Sequence, residues 1–274
     1  MSSFNHTLAF IGGGNMASAI IGGLIRQGMK PEQLMVVEPF ADTAAKILSD
    51  FGITALSLAG PTLARADMVV WAVKPQVFKE AAIPVMEHTR SALHLSVAAG
   101  IRTDSICRWV GTERVVRCMP NTPALVGQGI TGMFPCPAIS PEDRALVERV
   151  IGTTGQFLWL QQESHLDAVT ALSGSGPAYV FFFLEAMTEA GVGMGLSAEQ
   201  AYQLAVATFS GASSLAAASS ESAEALRQRV TSKGGTTYAA ITTLEALGVK
   251  ASFVKAMQAA EVRAKELGDE FGKA

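Results

Sequence analysis

The chain has 274 residues, of which 49% are hydrophobic and 16% charged, and its formal net charge is −3. That length and composition give a folded protein with room for two domains. They also exclude the basic surface that nucleic acid or an anionic membrane would attract. The three cysteines (Cys107, Cys118, Cys136) have no C-x-x-C spacing and read as reduced, mostly buried thiols of a cytoplasmic protein. The N-terminal apolar run lacks a basic flank and is cut by Gly12-Gly13-Gly14-Asn15, so it is not read as a signal peptide. No run is long enough to span a bilayer.

In chain order, Leu8–Ile11 reads as a buried strand, and Met16, Ile20, Ile21, Leu24 and Ile25 follow it at helical spacing. Residues 34–37 form a second strand, followed by a helix from about Asp42 to Phe51 that Gly52 can terminate. Further strands are expected at 68–73, 93–98 and 114–118, with a hairpin-like stretch around Ile130 to Phe134. Strands and helices alternating at this spacing predict an α/β fold. Its N-terminal domain, residues 1–162, is a Rossmann-type, doubly wound, mostly parallel sheet. From about Glu163 the pattern becomes helical, with segments near 176–192, 197–218, 221–230, 235–247 and 250–271. This all-α C-terminal domain, residues 163–274, is rich in Ala, Gly and Ser between Ala201 and Ala218, which lets helices approach closely. The composition points to oligomerisation, with a self-contained bundle as the alternative.

The first strand runs directly into G-x-G-x-x-A. Gly12 permits the tight turn, Gly14 lets backbone approach a pyrophosphate beside Asn15 and Met16, and Ala17 lets the helix pack on the sheet. Glu38 closes the second strand, where an acidic side chain accepts from adenosine ribose hydroxyls. A 2′-phosphate there would meet a like charge, costing on the order of 4 kcal/mol at ~4 Å and an effective dielectric of about 20. No Arg or Lys follows until Lys46, so this position taken alone favours NADH over NADPH; the alternative is a solvent-facing carboxylate ahead of Pro39. Ligands of open α/β sheets bind at strand C-termini. That assigns Val73-Lys74, Ala98-Ala99-Gly100 and the Met119–Pro123 loop with Asn121 to the coenzyme. Lys74 is either a catalytic lysine or, before Pro75, the setter of a loop whose backbone touches the cofactor.

The other informative stretch is Ser232-Lys233-Gly234-Gly235-Thr236-Thr237, a hydroxyl-rich double-glycine turn entering a helix. Bare N–H groups and hydroxyls at a helix N-terminus favour a carboxylate. His6, His88, His94 and His165 are scattered and no H-E-x-x-H occurs, so no metal is expected. No G-x-S-x-G elbow is present, and Ser173-Gly174-Ser175-Gly176-Pro177 instead reads as the capped opening of a helix. There is no lysine between Lys79 and Lys233. The β-hydroxyacid dehydrogenases, which this plan resembles, carry a catalytic Lys on the first helix after the sheet domain. Here that helix carries Tyr179, Phe181, Phe182 and Phe183.

The motifs Phe10–Met16, Ala72–Pro75, Ser96–Gly100, Met119–Pro123, Leu172–Tyr179 and Val230–Thr237 occur in this order. Together they resemble the pyrroline-5-carboxylate reductase family over essentially the whole chain, the last motif being the specific one. The resemblance implies a Rossmann domain plus a helical domain, an interleaved homodimer, often a decamer of five dimers, and NADPH or NADH as hydride donor. Glu38 sits awkwardly with a strong NADPH preference. The implied reaction is the final step of proline biosynthesis, reduction of a cyclic imine bearing one carboxylate. A protonated imine is already electrophilic, so orientation can carry the catalysis without a metal or strong protein acid. The resemblance assigns the substrate carboxylate to Ser232, Gly234, Gly235 and Thr236. Thr237 is placed at the ring nitrogen, donating to it or orienting a water, and Lys233 either adds positive potential or is merely solvated. The turn belongs to the helical domain and the nicotinamide to the sheet, so the active site is expected where they meet, across subunits if the dimer is interleaved. Competing readings are another imine or carbonyl reductase and a non-catalytic dinucleotide sensor.

Overall fold

Four-residue runs of Leu, Ile, Val, Met, Phe and Trp cannot alternate between water and core, so they form strands buried on both faces. The computed structural model describes residues 5–272. In it these runs are β1 (Leu8–Ile11), β2 (Leu34–Val37) and β3 (Met68–Trp71), followed by β4 (Leu93–Ser96) and β5 (Val115–Met119). Helices α1 (Asn15–Arg26), α2 (Ala41–Phe51), α3 (Phe78–Thr89) and α4 (Thr103–Val110) alternate with them. The chain then adds β6 (Gly129–Pro135), α5 (Pro141–Ile151) and β7 (Gly155–Trp159). The seven strands lie in the order β2-β1-β3-β4-β5-β6-β7, and every pairing is parallel except β5 with β6.

Strand residues alternate between two cores. Leu8, Phe10, Met68, Val70, Leu93 and Leu95 pack with Ile20, Ile21 and Leu24 of α1 and Ile47 of α2. Ala9, Ile11, Val69 and Trp71 pack on the opposite face with Phe78, Ala82 and Val85 of α3 and Ile106 of α4. This is the doubly wound arrangement. Gly52 ends α2 in the left-handed region, donating its N–H to the Leu48 carbonyl. Several bounds differ from the sequence reading: β3 and β4 end at Trp71 and Ser96, two residues short of those expected, where the chain leaves the sheet for its C-terminal loops. β5 begins one residue later than expected; Arg114 precedes it, with its guanidinium on Asp143 at the start of α5. β7 was not expected: Gly155-Gln-Phe-Leu-Trp159 is an edge strand with Gln156 and Leu158 exposed, which weakens its apolar signature.

The remaining helices are α6 (His165–Val169), α7 (Gly176–Gly193), α8 (Ala198–Ala218), α9 (Ala223–Arg229), α10 (Thr236–Ala246) and α11 (Val249–Gly272). Ser173 does not cap α7. It lies in a π-turn over Thr170–Gly174, and its hydroxyl donates to the Val169 carbonyl. The chain divides into two compact units: one runs to Ser175 and resumes at Ala260, the other is Gly176–Ala259. This division differs from a boundary at 162/163, because α6 packs on β5 and β6 of the sheet. Within the second unit α7 lies against α8, so close that a Cβ on Gly191 would stand 2.7 Å from the Ala201 Cβ. Tyr179 and Phe183 of α7 meet the ring of Phe253 edge-on or tilted. Among the described residues no helix is long and apolar enough to cross a membrane.

Candidate coenzyme and substrate sites

The strand order changes direction at β1, which lies between β2 and β3, and an open α/β sheet receives its ligand at that point, beyond the strand C-termini. Gly12 stands there with φ +92°, and a Cβ on it would lie 2.7 Å from the Ala72 carbonyl oxygen and 3.1 Å from Val73 Cγ1. Only glycine fits. Its N–H donates to the Val37 carbonyl at 2.9 Å, tying the turn to β2. Gly14 is the N-cap of α1 and no side chain caps that helix; a Cβ there would meet nothing within 4 Å. The amides of Asn15, Met16 and Ala17 open the helix without intrahelical acceptors and carry the positive end of its dipole. An uncapped helix start with open space above glycine fits a pyrophosphate.

Glu38 is not solvent-facing. It is 7% exposed, and its carboxylate accepts from the Gly13 N–H at 2.8 Å and the Phe40 N–H at 2.9 Å. Gly13, which the sequence reading passed over, supplies the first of these bonds. A Cβ there would lie 2.6 Å from Ile47 Cδ1 and 3.3 Å from the Glu38 carboxylate, so a side chain at this position would crowd both. The triplet itself was the available signal.

The other expected coenzyme residues follow β3, β4 and β5. Val73 is half-buried, and Lys74 is exposed ahead of the single 3-10 turn Pro75–Val77. Ala98 is buried, Ala99 exposed and Gly100 half-buried. Asn121 uses its side-chain oxygen internally, accepting from the Ile130 N–H at 3.0 Å, which fastens its loop to β6.

In the second unit, Gly234 turns the chain at φ +81° and Gly235 is the N-cap of α10, again with no side-chain cap. The Gly235 N–H donates to the Ser232 carbonyl at 3.0 Å. The amides of Thr236, Thr237 and Tyr238 then open the helix with no intrahelical acceptor. Thr242 and Thr243, further along α10, spend their hydroxyls on the carbonyls of Tyr238 and Ala239. The hydroxyls of Ser232, Thr236 and Thr237 have no partner among the described residues. α5, α8 and α9 contrast with this start, because Ser140, Ser197 and Ser222 cap them. Thr237 is half-buried and Lys233 exposed.

Two buried polar arrangements escaped the sequence reading. Arg117 of β5 pairs with Glu163 at 2.8 Å, and Glu163 also accepts from the Thr103 N–H and hydroxyl, both at 2.7 Å. That ties α4 and β5 to the segment entering α6. His94 lies fully buried in β4, its Nδ1 accepting from Trp71 Nε1 at 3.0 Å and its Nε2 3.0 Å from the Thr89 carbonyl. Burial, assisted by the Arg114 charge and opposed by the Thr89 bond, pushes its pKa down to about 4. The ring is neutral and structural. A histidine in an apolar strand was its only trace in the sequence.

Residues 163–267 match the family model for pyrroline-5-carboxylate reductase dimerisation, and residues 7–100 match the model for NADP oxidoreductase, coenzyme F420-dependent. A Pseudomonas aeruginosa pyrroline-5-carboxylate reductase is 43% identical over 270 residues, covering 97% of this chain and 98% of that protein. The solved pyrroline-5-carboxylate reductase of Coxiella burnetii is 37% identical with a TM-score of 0.89, covering 96% of this chain and 99% of its own. That of Plasmodium falciparum, solved with NADP bound, is 29% identical with a TM-score of 0.87, covering 97% and 100%.

Proposed function

The chain belongs to the pyrroline-5-carboxylate reductase family, and from that premise we propose how its own residues divide the reaction. It reduces L-Δ1-pyrroline-5-carboxylate to L-proline, the last step of proline biosynthesis, with the nicotinamide of NAD(P)H supplying the hydride that reaches the imine carbon. The amides of Gly14, Asn15 and Met16 hold the pyrophosphate, Glu38 faces the adenosine ribose, and the loops at Val73-Lys74, Ala98-Ala99-Gly100 and Asn121 border the nicotinamide. Ser232, Gly234, Gly235 and Thr236 clamp the substrate carboxylate with N–H and hydroxyl donors. Thr237 keeps its hydroxyl for the ring nitrogen.

The single observation that carries this assignment is the uncapped start of α10, where free amides and free hydroxyls coincide at the positive end of a helix dipole. A carboxylate anchored there has its ring fixed. Holding the reacting carbons about 3–3.5 Å apart then accounts for several kcal/mol of the barrier. The imine nitrogen is protonated before the hydride arrives and becomes the amine of proline, so no strongly acidic side chain is needed at that atom.

The reductase forms oligomers through its helical part. We further propose that residues 163–274 serve as the substrate and oligomerisation domain, residues 1–162 as the coenzyme domain, and that an interleaved dimer is the unit from which a decamer of five dimers is built. The free cysteines support a cytosolic setting. The test is a substrate panel followed by loss of reduced-coenzyme absorbance. Pyrroline-5-carboxylate should be turned over far faster than its six-membered or open-chain analogues. Preference for another ring would identify a different imine reductase, and coenzyme binding without turnover would identify a sensor.

A further inference from the structure

Glu38 differs from a surface glutamate in one respect that matters for coenzyme choice. A flexible, solvated carboxylate can swing away from an incoming phosphate at little cost. Glu38 is held at both oxygens, by the Gly13 N–H and by the Phe40 N–H, and is almost fully buried. Its backbone is tied as well, since the Glu38 N–H donates to the Leu56 carbonyl at 2.8 Å. Moving the carboxylate would leave the buried Gly13 N–H of the glycine turn unpaired, which is costly, and would break the bond to Phe40 as well. The charge is therefore stationary.

Compensating charge is missing nearby in the chain. Between Glu38 and Lys46 the sequence offers only Asp42, which lies in the first turn of α2. Lys46, the first cation after Glu38, is bonded to Asp50 at 2.7 Å. A ribose with two free hydroxyls can donate to the remaining lone pairs of Glu38, whereas a 2′-phosphate can only accept and repel.

We propose that Glu38 selects the coenzyme and that this reductase prefers NADH to NADPH. The proposal rests on the coenzyme-binding reading above.

Dissociation constants of NADH and NADPH for the full-length wild-type protein, measured by calorimetry without substrate, decide the matter. NADH should bind at least about tenfold tighter at moderate ionic strength, a gap well within reach of one unscreened charge pair. In Glu38→Gln the gap should close, mainly through tighter NADPH binding. Glu38→Ser is the second variant, and circular dichroism checks that each is folded. Equal or tighter NADPH binding by the wild type overturns the proposal, even if neither variant folds. A preference that persists in a folded neutral variant also overturns it by removing Glu38 as the cause. Turnover of pyrroline-5-carboxylate is assayed separately. A chain that binds NADH selectively but reduces no such substrate would overturn the functional reading and leave this one standing.

Discussion

In the sheet unit Trp71, Phe10, Phe78 and Ile21 are fully buried, whereas in the helical unit Phe182 is 66% exposed, Tyr202 57% and Leu247 71%. Both units are rich in apolar residues, but only the sheet encloses its own between two helical layers. α7, α8, α10 and α11 leave theirs facing outward, and among the large apolar side chains of Gly176–Ala259 only Leu184 is buried. Fully burying such a side chain is worth about 1.5–3 kcal/mol. The sheet unit has collected that energy within one chain; the helical unit collects it on association with further copies. α1 therefore opens from a self-sufficient core, and α10 from a unit with little buried core of its own.

The largest effect is expected from Phe182→Glu. A charge on the exposed apolar face should dissociate the oligomer and lower activity on the order of a hundredfold or more, as a buried unpaired charge would. Sedimentation analysis gives the assembly state. An intact oligomer would show that this face is not the one covered.

Gly12→Ala should do the reverse, sparing assembly and attacking the coenzyme. The added methyl meets the Ala72 carbonyl and the positive φ, so coenzyme affinity should fall on the order of a hundredfold. A coenzyme affinity matching the wild type would refute the cradle.

Thr237→Ala should reduce kcat by about tenfold to a hundredfold with the fold and coenzyme affinity preserved. Unchanged kinetics would remove Thr237 from the mechanism. Co-refolding Thr237→Ala with Gly12→Ala subunits tests the interleaved dimer. Activity should rise above that of either variant alone if each site draws on two chains, and stay at their averaged level if it draws on one.

The smallest effect concerns stability alone and belongs to the sheet unit. His94 has a folded pKa of about 4 against 6.5 for the unfolded chain, so the unfolded state binds the extra proton between those values. Stability from this group is complete above pH 6.5 and declines as pH falls toward 4, by up to about 3 kcal/mol. The urea midpoint of the wild type should therefore drop between pH 7.5 and 5, and His94→Gln should flatten that slope. An equal drop in both would assign the effect elsewhere.

The strands, the long helices and the glycine turn were legible because each rests on local physics. Continuous apolar runs, a 3.6-residue period and glycine at a forbidden φ leave marks on adjacent residues. The turn at Ser232–Thr237 was legible for the same reason, since hydroxyls and glycines before a helix need no distant partner to be recognised. β7 and the π-turn at Thr170–Gly174 were not, because edge exposure blurs alternation and a widened turn has no compositional mark.

Long-range pairing was decided only in three dimensions. Glu38 reaches Gly13, Glu163 reaches Arg117 and Thr103, and His94 reaches Trp71 across separations that no local pattern encodes. The sequence by itself determined the central strands, the long helices and the glycine turns, because those depend on neighbouring residues. Tertiary structure determined that the acidic residue after β2 is buried and immobilised, because that depends on where the chain brings a free backbone N–H to meet it.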